Sequence, residues 1–275
     1  MPELPEVETI VTGLKANLLG RRVKELVFIS PHLKKKQLPG AFRPEAYRRR
    51  KILDIWRRGK MIVFRFDGQL GLLVHLKMTG QLFLADPARK IDKHTHARLT
   101  FYGLKKELLF RDIRKFGFLN CLALSQIEEK IKTDLGPEPF EISLNDFRYL
   151  LKRHGQKRLK NWLLDQKIIA GIGNIYSDEI LFRARLSPFR LAGSLTEEQA
   201  VRFYRAARRV LEEAIALKGS SISDYVDAMG EKGGYQRRHR VYARDGQLCP
   251  RCHREKIVRQ KINGRSTFYC PACQL

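Results

Sequence analysis

Two cysteine pairs, Cys249-Pro250-Arg251-Cys252 and Cys270-Pro271-Ala272-Cys273, constrain the end of this chain more tightly than any other feature. With 17 residues between them, two Cys-x-x-Cys turns can bring four thiolates to the corners of a tetrahedron. Zinc takes that geometry when no coordination position stays open for catalysis. Two disulfides or an iron–sulfur cluster are the alternatives, and zinc is favoured. The intervening segment is too short to bury a core of its own. One structural Zn2+ held by Cys249, Cys252, Cys270 and Cys273 would therefore supply the folding free energy of a small β-hairpin, with Arg265, Ser266 and Thr267 in its tip region. Eleven Lys and Arg against three acidic residues lie between Glu231 and Leu275, which suits contact with a polyanion. The fifth cysteine, Cys121, sits in an apolar run and is expected as a buried small hydrophobe.

The basic excess extends to the whole chain: 54 Lys and Arg face 29 Asp and Glu, a formal charge of +25. Nucleic acid is favoured over a membrane surface as the partner, because the basic residues are spread along the sequence and not gathered on one amphipathic helix. No run of about 18 apolar residues is available to span a bilayer. The start of the chain has neither the charged region nor the apolar stretch of a signal peptide, so the expected location is the cytoplasm of a prokaryote or an equivalent reducing compartment, with nucleoid association expected if the polyanion is DNA.

A length of 275 residues, 43% of them hydrophobic, is enough for more than one domain with a core of its own. From Arg22 to about Cys121 short apolar or alternating runs at Val23–Ile29, Met61–Phe66, Leu70–Leu76, Ala97–Phe101, Glu107–Phe110 and Phe118–Leu122 predict a β-sandwich or barrel behind an N-terminal helix. Asp134-Leu135-Gly136-Pro137-Glu138-Pro139 reads as an interdomain linker. Helical spacing then dominates at Asn145–Arg153, Lys157–Gln166, Asn174–Ala184 and Glu197–Lys218, the last opening on a Thr196-x-x-Gln199 capping box; a short fifth helix is expected over Ser223–Met229. The expected fold class is α+β and multidomain. Its parts are an N-terminal β-sandwich flanked by helices (1–133), a helical domain (134–235) and a zinc-bearing β-hairpin (236–275).

Pro2-Glu3-Leu4-Pro5-Glu6-Val7 reads first as a helix start, with Leu4, Val7, Val11, Leu14 and Leu18 at helical spacing. It also permits chemistry. If Met1 is removed, Pro2 becomes a terminal secondary amine, and an α-amino group with a pKa of about 7.7–8.0 is far less protonated at neutral pH than a lysine. Such an amine condensing with an aldehyde carbon yields an iminium, an electron sink for elimination reactions. Gly171-Ile172-Gly173-Asn174-Ile175-Tyr176-Ser177-Asp178-Glu179 joins two helices through a glycine-rich turn. It is either a plain corner or a phosphate site in which Asn174 caps the following helix, with Lys157, Arg158 and Lys160 nearby.

In order along the chain, Pro2-Glu3-Leu4-Pro5-Glu6-Val7-Glu8-Thr9, Arg58-Gly59-Lys60, His75-Leu76-Lys77-Met78-Thr79-Gly80, Asp112-Ile113-Arg114-Lys115-Phe116-Gly117, Leu135–Pro139, Gly171–Glu179 and the four cysteines together resemble the formamidopyrimidine-DNA glycosylase family, also called MutM. The resemblance implies a helix-two-turn-helix arrangement in the helical domain and a monomer acting on damaged double-stranded DNA. An oxidised purine such as 8-oxoguanine or a formamidopyrimidine would be flipped out and excised, and the abasic sugar cleaved by β- and δ-elimination. It further implies Pro2 as the Schiff-base nucleophile, Glu3 as proton donor, Lys60 as proton donor in β-elimination and Arg265 in δ-elimination. His75, His94, Lys160 and Asn174 would join the DNA-binding set, while Met78, Arg114 and Phe116 would fill the gap left by the flipped base. Glu6 would support the active site, and a recognition loop should fall around Ser220–Tyr235. Asp54, Asp67 and Glu8 are expected as salt-bridge partners, and Thr79 departs from any fixed pattern. Two rivals stand beside this reading: the endonuclease VIII branch of the same superfamily, which prefers oxidised pyrimidines, and a non-catalytic zinc-containing nucleic-acid-binding protein. The latter has no use for a terminal Pro-Glu pair.

Overall fold

Leu4, Val7, Val11, Leu14 and Leu18, the apolar stripe of the N-terminal segment, form the buried face of helix α1, Leu4–Leu18. The computed structural model describes residues 1–275. It divides into two compact units, Met1–Thr133 with Leu217–Gly234, and Asp134–Ala216 with Tyr235–Leu275.

In the first unit α1 is followed by β1 (Val23–Phe28), a short helix α2 (Pro31–Lys35), β2 (Ile52–Arg58), β3 (Met61–Phe66), β4 (Leu70–His75), β5 (Gly80–Ala85), β6 (Thr95–Phe101), β7 (Leu104–Asp112), β8 (Phe118–Ala123) and α3 (Leu124–Asp134). The strands form two antiparallel four-stranded sheets, β1-β6-β7-β5 and β2-β3-β4-β8. Alternation in β3 explains its near-continuous apolar run. Ile62, Phe64 and Phe66 join the main core with α1, whereas Met61 and Val63 face Leu73, Leu122 and Ile127. Cys121 is fully buried in that main core, and burial pushes its thiol up to about 12.

Four elements escaped the sequence pattern, one of them the five-residue α2, too short to show a helical period. In β2 an irregularity between Ile52 and Asp54 breaks the period of two. β5 is buried on both faces, with Leu82 and Leu84 in the main core and Phe83 and Ala85 against Leu109 and Val226. Helix α3 is mostly polar and carries only the thin stripe Leu124, Ile127 and Ile131.

The expected helix over Ser223–Met229 is not formed. Residues 217–234 instead run as an irregular strap on the first unit. Leu84 donates its N–H to Ala228 O at 2.8 Å, and the Asp227 carboxylate takes the N–H groups of Met229 and Glu231 at 2.8 and 3.0 Å. Those competing hydrogen bonds, with Gly230 at φ 85°, outweigh a weak helical pattern.

The second unit contains α4 (Leu144–Arg153), α5 (Leu159–Leu164), α6 (Asn174–Ala184), α7 (Glu197–Ala216) and a hairpin of β9 (Val258–Ile262) and β10 (Arg265–Tyr269). Phe147 anchors its core, with ring centroids 5.1 Å from Trp162 and 5.4 Å from Phe203. The expected capping box is present: Thr196 N–H reaches Gln199 Oε1 at 3.0 Å, and Gln199 N–H reaches Thr196 Oγ1 at 3.3 Å. The segment read as an interdomain linker begins where the second unit begins, and it is ordered. Gly136 N–H bonds Gln166 O, Ala170 N–H bonds Pro137 O, and a Cβ on Gly136 would lie 2.5 Å from Lys167 O. No helix is long and apolar enough to cross a membrane.

The turn between β4 and β5 depends on Gly80, whose added Cβ would sit 2.4 Å from Leu76 O and 2.8 Å from Leu76 Cα. Those atoms are backbone and cannot swing aside. Gly80→Ala should lower stability by about 1–3 kcal/mol, read as a fall in the urea midpoint; an unchanged midpoint would show that this turn relaxes freely.

Candidate active site and nucleic-acid interface

Pro2 and Glu3 are buried at the start of α1, with Glu3 only 2% exposed. Glu6, at the third helical position, reaches back so that its Oε2 accepts Glu3 N–H at 2.8 Å, while its Oε1 accepts Ser220 N–H at 2.7 Å. One buried carboxylate therefore joins the N-terminus to the 217–234 strap. Gly219, at φ 75°, makes that approach possible, because a Cβ there would lie 2.7 Å from Glu6 Oε1. Within the strap Ser221 Oγ donates to Tyr225 O and accepts Gly233 N–H, so the expected recognition loop is internally hydrogen-bonded.

Lys60 follows Gly59 in the β2–β3 turn and is 7% exposed, which rules out an ordinary solvated turn lysine. Arg57 steadies this turn, bonding Gly59 O at 3.2 Å and Glu8 of α1 at 2.7 Å. Asp54 and Asp67 likewise pair as expected, with Lys15 and with Arg22 and Arg50. Across the ladder Met61 faces His75, so Lys60 and His75 are neighbours. Burial, helped by the Lys77 and Lys60 ammonium charges, pushes His75 down to about 3. Its Nδ1 accepts Lys77 N–H at 3.0 Å, which leaves the neutral ring's proton on Nε2, a donor suited to a phosphate oxygen.

Met78, Arg114 and Phe116 come from two separate turns and meet in one exposed cluster. Arg114 Nη1 lies 3.2 Å from Met78 Sδ, and its guanidinium stacks 4.6 Å from the Phe116 ring centroid. Met78 is 43% and Phe116 48% exposed, an unusual position for such side chains. Beneath them lies Asp112, fully buried. Its Oδ1 accepts Thr79 Oγ1–H at 2.5 Å and Arg114 N–H at 3.2 Å, and its Oδ2 accepts Gly117 N–H at 2.7 Å. His94 O accepts Asp112 N–H at 2.9 Å, which places His94 beside the same hub. Thr79 is thus a brace between the two turns.

In the second unit Gly173 is the N-cap of α6, and Asn174, expected as the cap, is its first residue. Asn174 Nδ2 donates to Ser266 O at 2.9 Å, tying the glycine-rich turn to the hairpin next to the exposed Arg265. Arg265 follows Asn263-Gly264, both at positive φ, as a two-residue hairpin turn requires. Lys160 corrects the sequence reading. It is completely buried, and its ammonium donates to Asp178 Oδ1 at 2.8 Å, Ser177 Oγ at 2.7 Å and Asn174 O at 3.1 Å. It braces the Asn174 corner and does not present its charge to a phosphate. Asp112, Asp178 and Glu179 went unread, because a carboxylate in a polar stretch gives no sign of burial. Glu179 accepts the N–H groups of Arg240, Val241 and Tyr242 at 2.9–3.0 Å.

The four cysteine sulfurs lie within 4.8 Å of one another, with Cys249–Cys273 at 3.7 Å and Cys252–Cys270 at 3.8 Å. A tetrahedron with about 2.3 Å Zn–S bonds has edges of about 3.8 Å. All four cysteines are free, and the donor set fits one structural zinc ion. Backbone N–H groups of Glu255 and Arg254 draw Cys252 toward the thiolate, whereas burial pushes Cys270 and Cys273 the other way. Phe182 of α6, Val241, Ile257 and Phe268 pack around the sulfurs, so the site anchors the hairpin to the helical unit.

Residues 1–119 match the formamidopyrimidine-DNA glycosylase N-terminal domain family, residues 135–226 the formamidopyrimidine-DNA glycosylase H2TH domain family, and residues 246–275 the zinc finger found in FPG and IleRS. The formamidopyrimidine-DNA glycosylases of Solibacter usitatus and Carboxydothermus hydrogenoformans are 46% and 42% identical to this chain; all of it aligns, with 99% and 100% of the relatives. Among solved structures, MutM (Fpg) from Thermus thermophilus superposes with TM-score 0.86 at 42% identity, covering 99% of this chain and 98% of that one. The Lactococcus lactis Fpg, crystallised in complex with DNA containing an abasic site, gives TM-score 0.88 at 31% identity, with 99% of each chain covered.

Removing the Lys160 ammonium would strand Asp178 in the interior, so Lys160→Met should cost about 3–5 kcal/mol in urea denaturation, and Lys160→Met with Asp178→Leu should recover much of the loss. His75 gives a pH signature of opposite simplicity. Its folded pKa lies below its unfolded value, so its stabilising contribution is complete above about pH 6.5 and is lost as pH falls toward about 3. Relative to wild type, His75→Gln should therefore gain roughly 2 kcal/mol between pH 7.5 and pH 5.0; a constant difference between the two proteins would mean that His75 is not held neutral.

Proposed function

We propose, because this chain belongs to the formamidopyrimidine-DNA glycosylase family, that it excises oxidised purines such as 8-oxoguanine and formamidopyrimidines from duplex DNA and then cleaves the abasic strand. The observation that carries this reading is the buried Pro2-Glu3 terminus, fastened through Glu6 to the 217–234 strap. A zinc-containing binding module without catalysis has no need of such a terminus. The Leu4-Pro5-Glu6-Val7-Glu8 sequence favours the purine branch of the superfamily over the pyrimidine branch.

Cleavage of the Met1–Pro2 bond frees the proline nitrogen. Pro2 N attacks C1′ of the flipped nucleotide, the base leaves with the bonding pair and takes up a proton, and the nitrogen loses its own. Glu3 protonates the ring oxygen as the sugar opens. The resulting iminium acidifies the C2′ proton, and its removal expels the 3′ phosphate in β-elimination, with Lys60 as proton donor. A second elimination expels the 5′ phosphate. Arg265 contributes there through hydrogen bonds to the departing phosphate, since a guanidinium keeps its protons at these pH values. Met78 and Phe116 wedge into the stack, and Arg114 supplies donors to the orphaned base. His75 and Asn174 contact phosphates.

The test is borohydride trapping of the Met1-processed protein on an 8-oxoguanine duplex, with a thymine glycol duplex as comparison. A covalent protein–DNA adduct is expected, formed faster on 8-oxoguanine. Pro2→Gly should bind DNA yet lose most strand cleavage, and Glu3→Gln should lower base release by about 10²–10⁴. Cleavage without any trapped adduct would sink the lyase mechanism, and faster pyrimidine excision would move the chain to the other branch.

A further inference from the structure

The two sheets treat their edges differently. The β5 edge is closed by the 217–234 strap, through Leu84 N–H to Ala228 O at 2.8 Å. The β8 edge is closed by residues 37–42, through Phe42 N–H to Cys121 O at 2.7 Å and Gln37 Nε2 to Leu119 O at 2.6 Å. The β1 edge is closed only at its first residue, where Val23 N–H meets Arg50 O and Arg49 N–H meets Val23 O. Past that point segment 41–48 makes no backbone hydrogen bond to β1, although residues 44–47 stay packed beside its start, and β1 is the last strand of its sheet.

Ile29 N–H points to His96 O on β6, so by the two-residue alternation of a strand the backbone groups of Val27 and Glu25 face β6. Those of Leu26 and Phe28 point outward, where no strand pairs with them. They open onto a groove of about 780 Å³ between β1 and segment 41–48. That volume is within the range of clefts that take ligands. Phe42, 39% exposed, and the flank of Pro44 supply an apolar wall. Lys24, Lys34, Arg43 and Arg48 line the groove against Glu25 and Glu45, giving it a positive balance.

We propose that the outer edge of β1 docks an acidic segment of another protein, taken up in extended conformation as a fifth strand of this sheet. Backbone hydrogen bonds to Leu26 and Phe28 supply the affinity, as in other strand-addition complexes, and the four cations select carboxylate side chains on the incoming strand. The site is independent of the catalytic terminus, since none of its residues takes part in the proposed chemistry.

The experiment uses the full chain labelled with 15N and an acetylated, amidated heptapeptide alternating glutamate and valine. Saturable shifts at the Leu26 and Phe28 amides are expected. Binding should weaken at least tenfold for the lysine–valine peptide, for the glutamate–valine peptide N-methylated on alternate residues, and for the Arg43→Glu, Arg48→Glu double variant, whose altered side chains are exposed. Absence of shifts at millimolar peptide would overturn the proposal, as would insensitivity to N-methylation. A short single-stranded oligonucleotide that binds the groove more tightly than the peptide would overturn it too, by assigning this face to nucleic acid.

Discussion

The exposed cluster of Met78, Arg114 and Phe116 exists because one carboxylate, that of Asp112, is buried beneath it. Turns that hold large side chains out in water have little apolar burial of their own and would ordinarily sample many conformations. Asp112 replaces that missing burial with charge-assisted hydrogen bonds to Thr79, Arg114 and Gly117. Such bonds contribute about 1.5–3 kcal/mol each when a buried group would otherwise be left unsatisfied. Gly117 is itself crowded, with Phe110, His75 O and Asp112 within about 3 Å of where a Cβ would be, so the second turn has little freedom to leave its anchor. Under the proposed function the cluster is a wedge, and a wedge held rigidly by such an anchor would enter a base stack without a further ordering cost.

The same device recurs. Glu6 collects the N–H groups of Glu3 and Ser220, Asp178 takes Phe268 N–H and the Lys160 ammonium, and Glu179 collects three successive N–H groups from 240–242. Glu6 and Glu179 fix segments that lack regular structure, while Asp178 ties strand β10 and helix α5 to α6. Burial raises Asp178 and Glu179 above the ordinary carboxylate range, and the donors around them oppose that shift. There is a consequence for the surface as well. Seven acidic side chains are buried against two basic ones, so the exposed balance is more positive than the formal +25. Acidic residues that would have weakened attraction to phosphates are spent inside as scaffolding.

What could be read from the sequence follows from how local each signal is. The α1 stripe, the capping box at Thr196 and the cysteine spacing are each patterns that repeat or pair by residue type within one short stretch of sequence, and each is realised. β5 and α3 depend on partners far away in sequence: Phe83 is buried against Leu109 and Val226, and the thin stripe of α3 packs on the apolar outer face of β3 and β4. Lys160 shows the same limit at the site. Its neighbours Lys157 and Arg158 make it look like one of a basic group, but its ammonium turns inward to an aspartate 18 residues later. Sign and spacing identify a charge; only packing decides which way it faces.

A chain terminus is a poor place for a catalytic group, because the first residues of most domains are disordered unless tied down. Here the tie comes from both directions. The helix that begins at Leu4 is packed along its full length by core residues, and Glu6 returns from its first turn to hold Glu3 N–H. Glu3 cannot fray without breaking a buried charge-assisted bond, and Pro2 is the residue joined to it. The second Glu6 oxygen holds Ser220 N–H, so the strap and the terminus share one anchor, and Tyr225 reinforces it with its hydroxyl 3.4 Å from Glu6 O and 3.1 Å from Lys218 O. Loss of the Glu6 carboxylate would release both sides at once. In a reaction that uses the terminal nitrogen as nucleophile, positioning of this kind carries a large part of the rate, since effective molarity falls steeply once the attacking atom can wander. An ordinary-looking helix start is held in one position because its third residue is an acid with two backbone partners.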